Sequence, residues 1–146
     1  WTVITVSIFA GVFLAGSGIG FVSAGASIIR PSGVALILAG LVVRWAAILT
    51  LRKYFTVDVV IMNDHKIVMT GLYRHIRHPA YLGSLLSFLG LAISFSNWLT
   101  ALVIFMPITG AFLYRIHVEE KALDAFLGDA YRQYRLSTKR LIPGIY

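Results

Sequence analysis

The first 29 residues, Trp1 to Ile29, contain no charged side chain. A helix of that length rises well past the ~30 Å of a bilayer's hydrocarbon core at ~1.5 Å per residue. Arg30, Pro31 and Ser32 then read as a short connection, followed by a second apolar run from Gly33 to Leu51. Two further runs, Pro79 to Trp98 and Leu99 to Tyr114, are broken by "SFSNW". Each is short for an independent crossing, so a tilted or partly re-entrant hairpin stays open beside two full spans. Pro107 inside the fourth run predicts a kink. The composition agrees with lipid as the solvent. Hydrophobic residues make up 58% of the chain and charged ones 13%, where soluble domains run at ~45–50% and ~25%. Mean hydropathy is +0.82.

Charge placement orients these runs. The formal charge of +7 raises nucleic acid as a partner, but the basic residues gather at the ends of apolar runs, as membrane orientation requires. Arg52, Lys53, Lys66, Arg74 and Arg77 lie between runs two and three, and Arg115, Lys121, Arg132, Arg135, Lys139 and Arg140 come after run four. Four crossings put both groups on one side, which is then cytosolic, with only Arg30 opposite. The expectation is an all-α integral membrane bundle of about four transmembrane helices, with no nucleic-acid partner. At 146 residues it is one domain, with two helices over 1–51 and a core over 52–143. The chain begins at Trp1 rather than Met, so the expectation is that an initiator region is missing or processed.

The polar interlude, residues 52 to 78, reads as two β-rich pieces around Asn63-Asp64, a small hairpin or extended loop on the cytosolic side. The tail differs. From Arg115, the positions Val118, Ala122, Leu123, Phe126 and Leu127 repeat at helical spacing between charges, which reads as a C-terminal amphipathic helix. Gly128 is a stop signal and Asp129 a new N-cap.

Several classes of chemistry are absent from the residues. With no cysteine there is no disulfide frame, thiolate metal site or cysteine nucleophile. The four histidines lack metal-ligand spacing. "GSGIG" near the N-terminus is not a dinucleotide loop; Gly16 and Gly20, four apart, suit close helix packing instead. Arg44 lies eight residues before Arg52, ~12 Å deeper along a straight helix. An intramembrane arginine faces the bundle interior or snorkels, so Arg44 is a candidate substrate-side residue. Near the cytosolic mouth, Lys66, Tyr73, His78, Tyr81, Arg115, Glu119 and Glu120 can line one polar cavity suited to an ionic ligand meeting an amphipathic one. Arg74 and Arg77 read as interfacial charges, and Tyr131 and Tyr134 as packing or belt residues.

An ordered motif series takes the reading further. "HKIVMTGLYRHIRHPAYLG" and "EEKALDAFLGDAYRQYRLSTKRLIP", separated by an apolar hairpin, resemble the isoprenylcysteine carboxyl methyltransferase family, a wider group that includes phospholipid N-methyltransferases. The likeness covers roughly residues 55 to 143. One departure is Leu127, inserted between Phe126 and Gly128, which rotates the next helical turn by ~100°. The resemblance implies S-adenosyl-L-methionine as methyl donor, held at the cytosolic helix ends. It places cofactor contacts on His65, Lys66, Ile67, Val68, Tyr73, His78, Pro79, Ala80, Tyr81 and Glu119. It gives Arg115 to the substrate, a lipophilic or lipidated acceptor.

Two chemistries fit such an acceptor. A carboxylate is already ionised and needs no general base, and Arg115 can hold it by a charge-assisted pair; this O-methylation is favoured. An amine, as in a phospholipid N-methyltransferase, must lose a proton, which His78 or a glutamate can take. Sterol-type membrane reductases using NADPH share a related H-P-x-Y pattern and are a third reading. A bundle whose charges only set topology is the non-enzymatic one.

Overall fold

The computed structural model describes residues 1–52 and 67–145. The Asn63-Asp64 hairpin expectation lies outside them. Among the described residues the regular structure is helical: α1 (Thr2–Gly16), α2 (Ala26–Leu51), a short 3-10 turn (Gly71–Arg74), α3 (Pro79–Ser94), α4 (Trp98–Leu127) and α5 (Asp129–Ser137). Two of them, α2 and α4, are long and apolar enough to cross a membrane, while α1 and α3 are shorter apolar helices.

The first apolar run is not one helix, and the connection expected at Arg30 to Ser32 is not a break. The chain leaves α1 at Gly16 and re-enters a helix at Ala26; Arg30, Pro31 and Ser32 are helical within α2. Gly18, Gly20 and Gly25 all have positive φ, 75°, 82° and 75°. Backbone in that region costs other residues energy and ends a helix. Pro31 sits early in α2, where one missing N–H leaves the rest of the ladder intact. Gly16 and Gly20 therefore form no helix-packing face: an added Cβ at Gly16 meets nothing within 4 Å, and Gly20 lies in the connector.

The chain divides into two compact units, one of residues 1–42 and 83–112, the other of 43–82 and 113–146. In the first, Ala92, Ile104 and Ile108 form the core, with Ile4, Ile8, Phe88, Phe105 and Phe112 packed against it. Its close helix approaches use four other glycines. Gly33 and Gly40 on α2 meet Gly90 and Gly83 on α3, and an added Cβ on Gly33 would lie 2.7 Å from the Gly90 carbonyl oxygen. Such contact between small residues is the main attraction available to helices in lipid. The "SFSNW" break is a built turn. Ser96 has φ 51°, the Asn97 side-chain oxygen accepts from the Thr100 N–H at 3.0 Å as an N-cap, and its amide donates to the Ile19 carbonyl at 2.7 Å.

In the second unit, Tyr73 is buried with Ala47 and Ala80, and Leu51 packs on them. The Tyr134 hydroxyl donates to the Tyr73 carbonyl at 2.7 Å. The C-terminal segment runs parallel to residues 75–78: Lys139 N–H donates to the His75 carbonyl at 3.0 Å, while Arg77 and His78 N–H donate to the Lys139 and Arg140 carbonyls at 2.8 and 3.1 Å. The expected tail helix is not separate from run four. α4 continues through Pro107 and Tyr114 to Leu127, and Gly128, φ 54°, is the N-cap of α5, one residue earlier than expected.

Candidate functional site

Two neighbouring carboxylates on α4, Glu119 and Glu120, organise the second unit, and they do different work. One helix position turns the chain by ~100°, so they face different partners. Glu120 is buried. Its Oε1 accepts from Arg77 Nε at 2.9 Å and from His78 Nε2 at 3.3 Å, and its Oε2 from Arg140 Nη2 at 2.8 Å. Arg77 also donates to the Thr138 carbonyl at 2.6 Å. The side chains of Arg77 and Glu120 are only 8% and 6% exposed. Arg77 is thus a buried clamp rather than an interfacial charge, and Glu120 ties the start of α3 and the C-terminal segment to α4.

Glu119, half-buried, faces the other group. The Tyr81 hydroxyl donates to Glu119 Oε2 at 2.7 Å and accepts from Arg115 Nε at 2.8 Å. Arg115 and Glu119, one helical turn apart, are therefore joined through a phenol, a relay from guanidinium to carboxylate. His78 and Tyr81 lie with ring centroids 5.6 Å apart. Pro79 begins α3, so the positive end of that helix's dipole stands beside this relay.

The other expected site residues are more scattered. His65 and Lys66 lie outside the described residues. Ile67 and Val68 are half-buried in irregular chain. Tyr73, His78, Pro79 and Ala80 are buried. Arg44 donates from Nη1 to the Ala80 carbonyl at 3.4 Å, which holds it to the first turn of α3 rather than out toward water. The residue that sequence reasoning underweighted is Glu120, which it named only as a possible cavity wall. The adjacency of two glutamates was the available signal. Nothing local says which one takes the buried cations.

Tyrosines outside the apolar helices feel this burial. Burial first, and the Glu119 carboxylate second, raise the Tyr73 phenol above its ordinary value of 10.0. Burial likewise raises Tyr131 and pushes Tyr134 up to about 12. A phenol that holds its proton longer folded than unfolded stabilises the fold fully below pH ~10 and loses that contribution as pH rises toward 12. Thermal unfolding of the detergent-solubilised protein should therefore move to lower temperature between pH 10 and pH 12. Tyr134→Phe should flatten that slope, while losing about 1 kcal/mol at neutral pH with its hydrogen bond.

Comparison with known proteins adds an independent finding. The family model described as the isoprenylcysteine carboxyl methyltransferase family matches residues 33–125. Among curated relatives, the protein-S-isoprenylcysteine O-methyltransferase of Schizosaccharomyces pombe is 36% identical over 81 residues, 56% of this chain and 34% of that protein. Protein-S-isoprenylcysteine O-methyltransferase A of Arabidopsis thaliana is 32% identical over 113 residues, 76% of this chain and 57% of its own. A solved eukaryotic intramembrane Ras methyltransferase superposes with a TM-score of 0.80 at 29% identity, over 99% of this chain and 52% of that one. The chain thus spans about a third to somewhat over half the length of these relatives.

Proposed function

Because the chain belongs to the isoprenylcysteine carboxyl methyltransferase family, we propose that it is an integral membrane methyltransferase that uses S-adenosyl-L-methionine to esterify the carboxylate of a prenylated cysteine or a similar lipid-like acceptor. The observation that carries the reading is the Arg115–Tyr81–Glu119 relay beside the start of α3. Four crossings, with this group at the cytosolic face, complete it: α1 and α3 cross as shorter partners of α2 and α4, and the basic interlude and tail share the cytosolic side.

The donor set fits the cofactor's chemistry. S-adenosyl-L-methionine carries a carboxylate, an ammonium, ribose hydroxyls and a sulfonium. A helix N-terminus suits its carboxylate, and Glu119 suits its hydroxyls or cations. The cofactor supplies a methyl activated by positive sulfur, and on transfer one O–C bond forms, one S–C bond breaks and sulfur keeps the electron pair. Everything else falls to the chain. Tyr73, His78, Pro79, Ala80, Tyr81 and Glu119 would bind and orient the donor, with His65, Lys66, Ile67 and Val68 completing the contacts. Arg115 would hold the acceptor carboxylate by its guanidinium fork, whose geometry matches a carboxylate. Arg44 would act on the substrate side by fixing the first turn of α3. An ionised carboxylate gives up no proton, so no general base is required and alignment is the main demand.

Calorimetric titration of the protein in nanodiscs with S-adenosylhomocysteine tests this. Micromolar binding is expected, weakened about ten- to hundredfold in Glu119→Ala through loss of a charged hydrogen bond. Tyr81→Phe, which breaks the relay while keeping the ring, should weaken it less. No binding by the folded protein, or unchanged binding in both variants, sinks the assignment; binding of NADPH alone would point to a reductase.

A further inference from the structure

A polar cavity lies elsewhere in the second unit, and none of His78, Tyr81, Arg115 or Glu119 lines it. It has a volume of about 270 Å³ and its walls include Arg74, His75, Arg135, Ser137, Lys139 and Gly144. Among the described residues three permanent cations line it and no carboxylate does. Arg74, Arg135 and Lys139 make no ion pair among the described residues. Arg74, Arg135 and Lys139 are exposed, so solvent screens their mutual repulsion, but together they give the cavity a positive field that favours an anion.

The end of α5 borders the cavity, and helix C-termini ordinarily disfavour anions. Here several of the carbonyls at that end, those of Tyr134, Arg135 and Thr138, already accept side-chain hydrogen bonds. Arg77 donates to the Arg135 and Thr138 carbonyls at 3.3 and 2.6 Å, and the Ser137 and Thr138 hydroxyls donate to the Tyr134 carbonyl at 3.0 and 2.6 Å. The cations are left to set the local field. In the "TKRLIP" segment the Thr138 hydroxyl and the Arg140 guanidinium bond inward, and Thr138, Lys139 and Pro143 line the cavity.

The rim identifies the source of the anion. Leu136, which lines the cavity, is 89% exposed, and Ile145, next to the lining Gly144, is 77% exposed. Apolar side chains beside a cationic pocket match a lipid interface, where acyl chains cover the one and a headgroup fills the other. A free phosphate would satisfy the cations and leave Leu136 and Ile145 in water. We propose that this cavity binds the phosphate of an anionic phospholipid headgroup.

The test titrates the detergent-solubilised protein, by calorimetry, with short-chain phosphatidylglycerol, short-chain phosphatidylcholine and inorganic phosphate. Phosphatidylglycerol should bind at least about tenfold more tightly than either of the others, and weaken with salt. Combining Arg74→Gln, Arg135→Gln and Lys139→Gln should cost about a hundredfold, and Arg135→Lys should cost little. If the triple variant does not fold, Arg135→Gln alone decides, with about a fivefold loss expected. Equal affinity for the two lipids, unchanged affinity in the glutamine variant that folds, or inorganic phosphate binding as tightly as phosphatidylglycerol would overturn the proposal; the last would mean a soluble-anion site.

Discussion

Glu120→Ala should be the most destabilising single substitution in the second unit, at about 3–5 kcal/mol, because it strands buried cations rather than merely removing a contact. Arg77 and His78 are both buried against this carboxylate, and Arg140 closes on its other oxygen. The buried Arg77 guanidinium and His78 imidazole would then lose the carboxylate they share, and the partly exposed Arg140 would lose its bond to the other oxygen. Thermal unfolding in detergent should shift down strongly, and the C-terminal segment from Thr138 onward should become protease-sensitive, since Arg77 and Arg140 fasten it. Glu119→Ala is the comparison that gives this meaning. Glu119 is half-buried and bonded to one phenol, so its loss should leave the unfolding temperature within a few degrees while impairing ligand binding. Two adjacent glutamates would thus separate into a structural and a functional group. Equal effects of the two changes on stability would refute that separation.

Gly90→Leu should disrupt the first unit. A Cβ at position 90 would lie 2.5 Å from the Gly33 carbonyl oxygen and 2.7 Å from the Ile37 nitrogen. Those are backbone atoms, so no rotamer change relieves the clash and the helices must move apart. Overpacking of this kind costs about 1–3 kcal/mol, sometimes more, and in lipid no hydrophobic gain offsets the lost contact. Folded yield and detergent melting temperature should both fall. Gly110→Ala is the matched control: an added Cβ there meets nothing within 4 Å, and alanine is the better helix former by about 1 kcal/mol.

Both cases separate features readable in the chain from features set by its tertiary pairing. The helical character and the "SFSNW" turn come from local pattern. Asn97 is a good N-cap residue, and the structure uses it as one. Gly128 ended a helix as its composition suggested. The first connection was misplaced because proline is the louder breaker in a sequence. Yet the positive φ of Gly18, Gly20 and Gly25 made the break, and Pro31 was absorbed by α2. The packing glycines were also visible, as Gly33 and Gly40 and again Gly83 and Gly90, each pair seven apart and so two turns along one face. Their meaning depends on pairing between helices about fifty residues apart, which spacing within one helix does not specify. Arg77 looked like one more positive charge at a membrane boundary. Its burial depends on Glu120, 43 residues away. By contrast, the motif series named His78, Tyr81, Arg115 and Glu119, and the structure joins Tyr81, Arg115 and Glu119 directly and sets the His78 ring beside Tyr81.

The most direct test of carboxyl methylation is transfer of a labelled methyl group from S-adenosyl-L-methionine by the purified protein in nanodiscs. Two acceptors are compared, N-acetyl-S-farnesylcysteine and a phosphatidylethanolamine, with Arg115→Gln as the variant. A carboxyl methyltransferase with Arg115 on its acceptor should place label on the farnesylcysteine in a base-labile ester, reduced at least about tenfold in Arg115→Gln, as for loss of a charge-assisted pair. Base-stable label on the amine lipid alone, or no transfer to either by protein that binds S-adenosylhomocysteine, would contradict it.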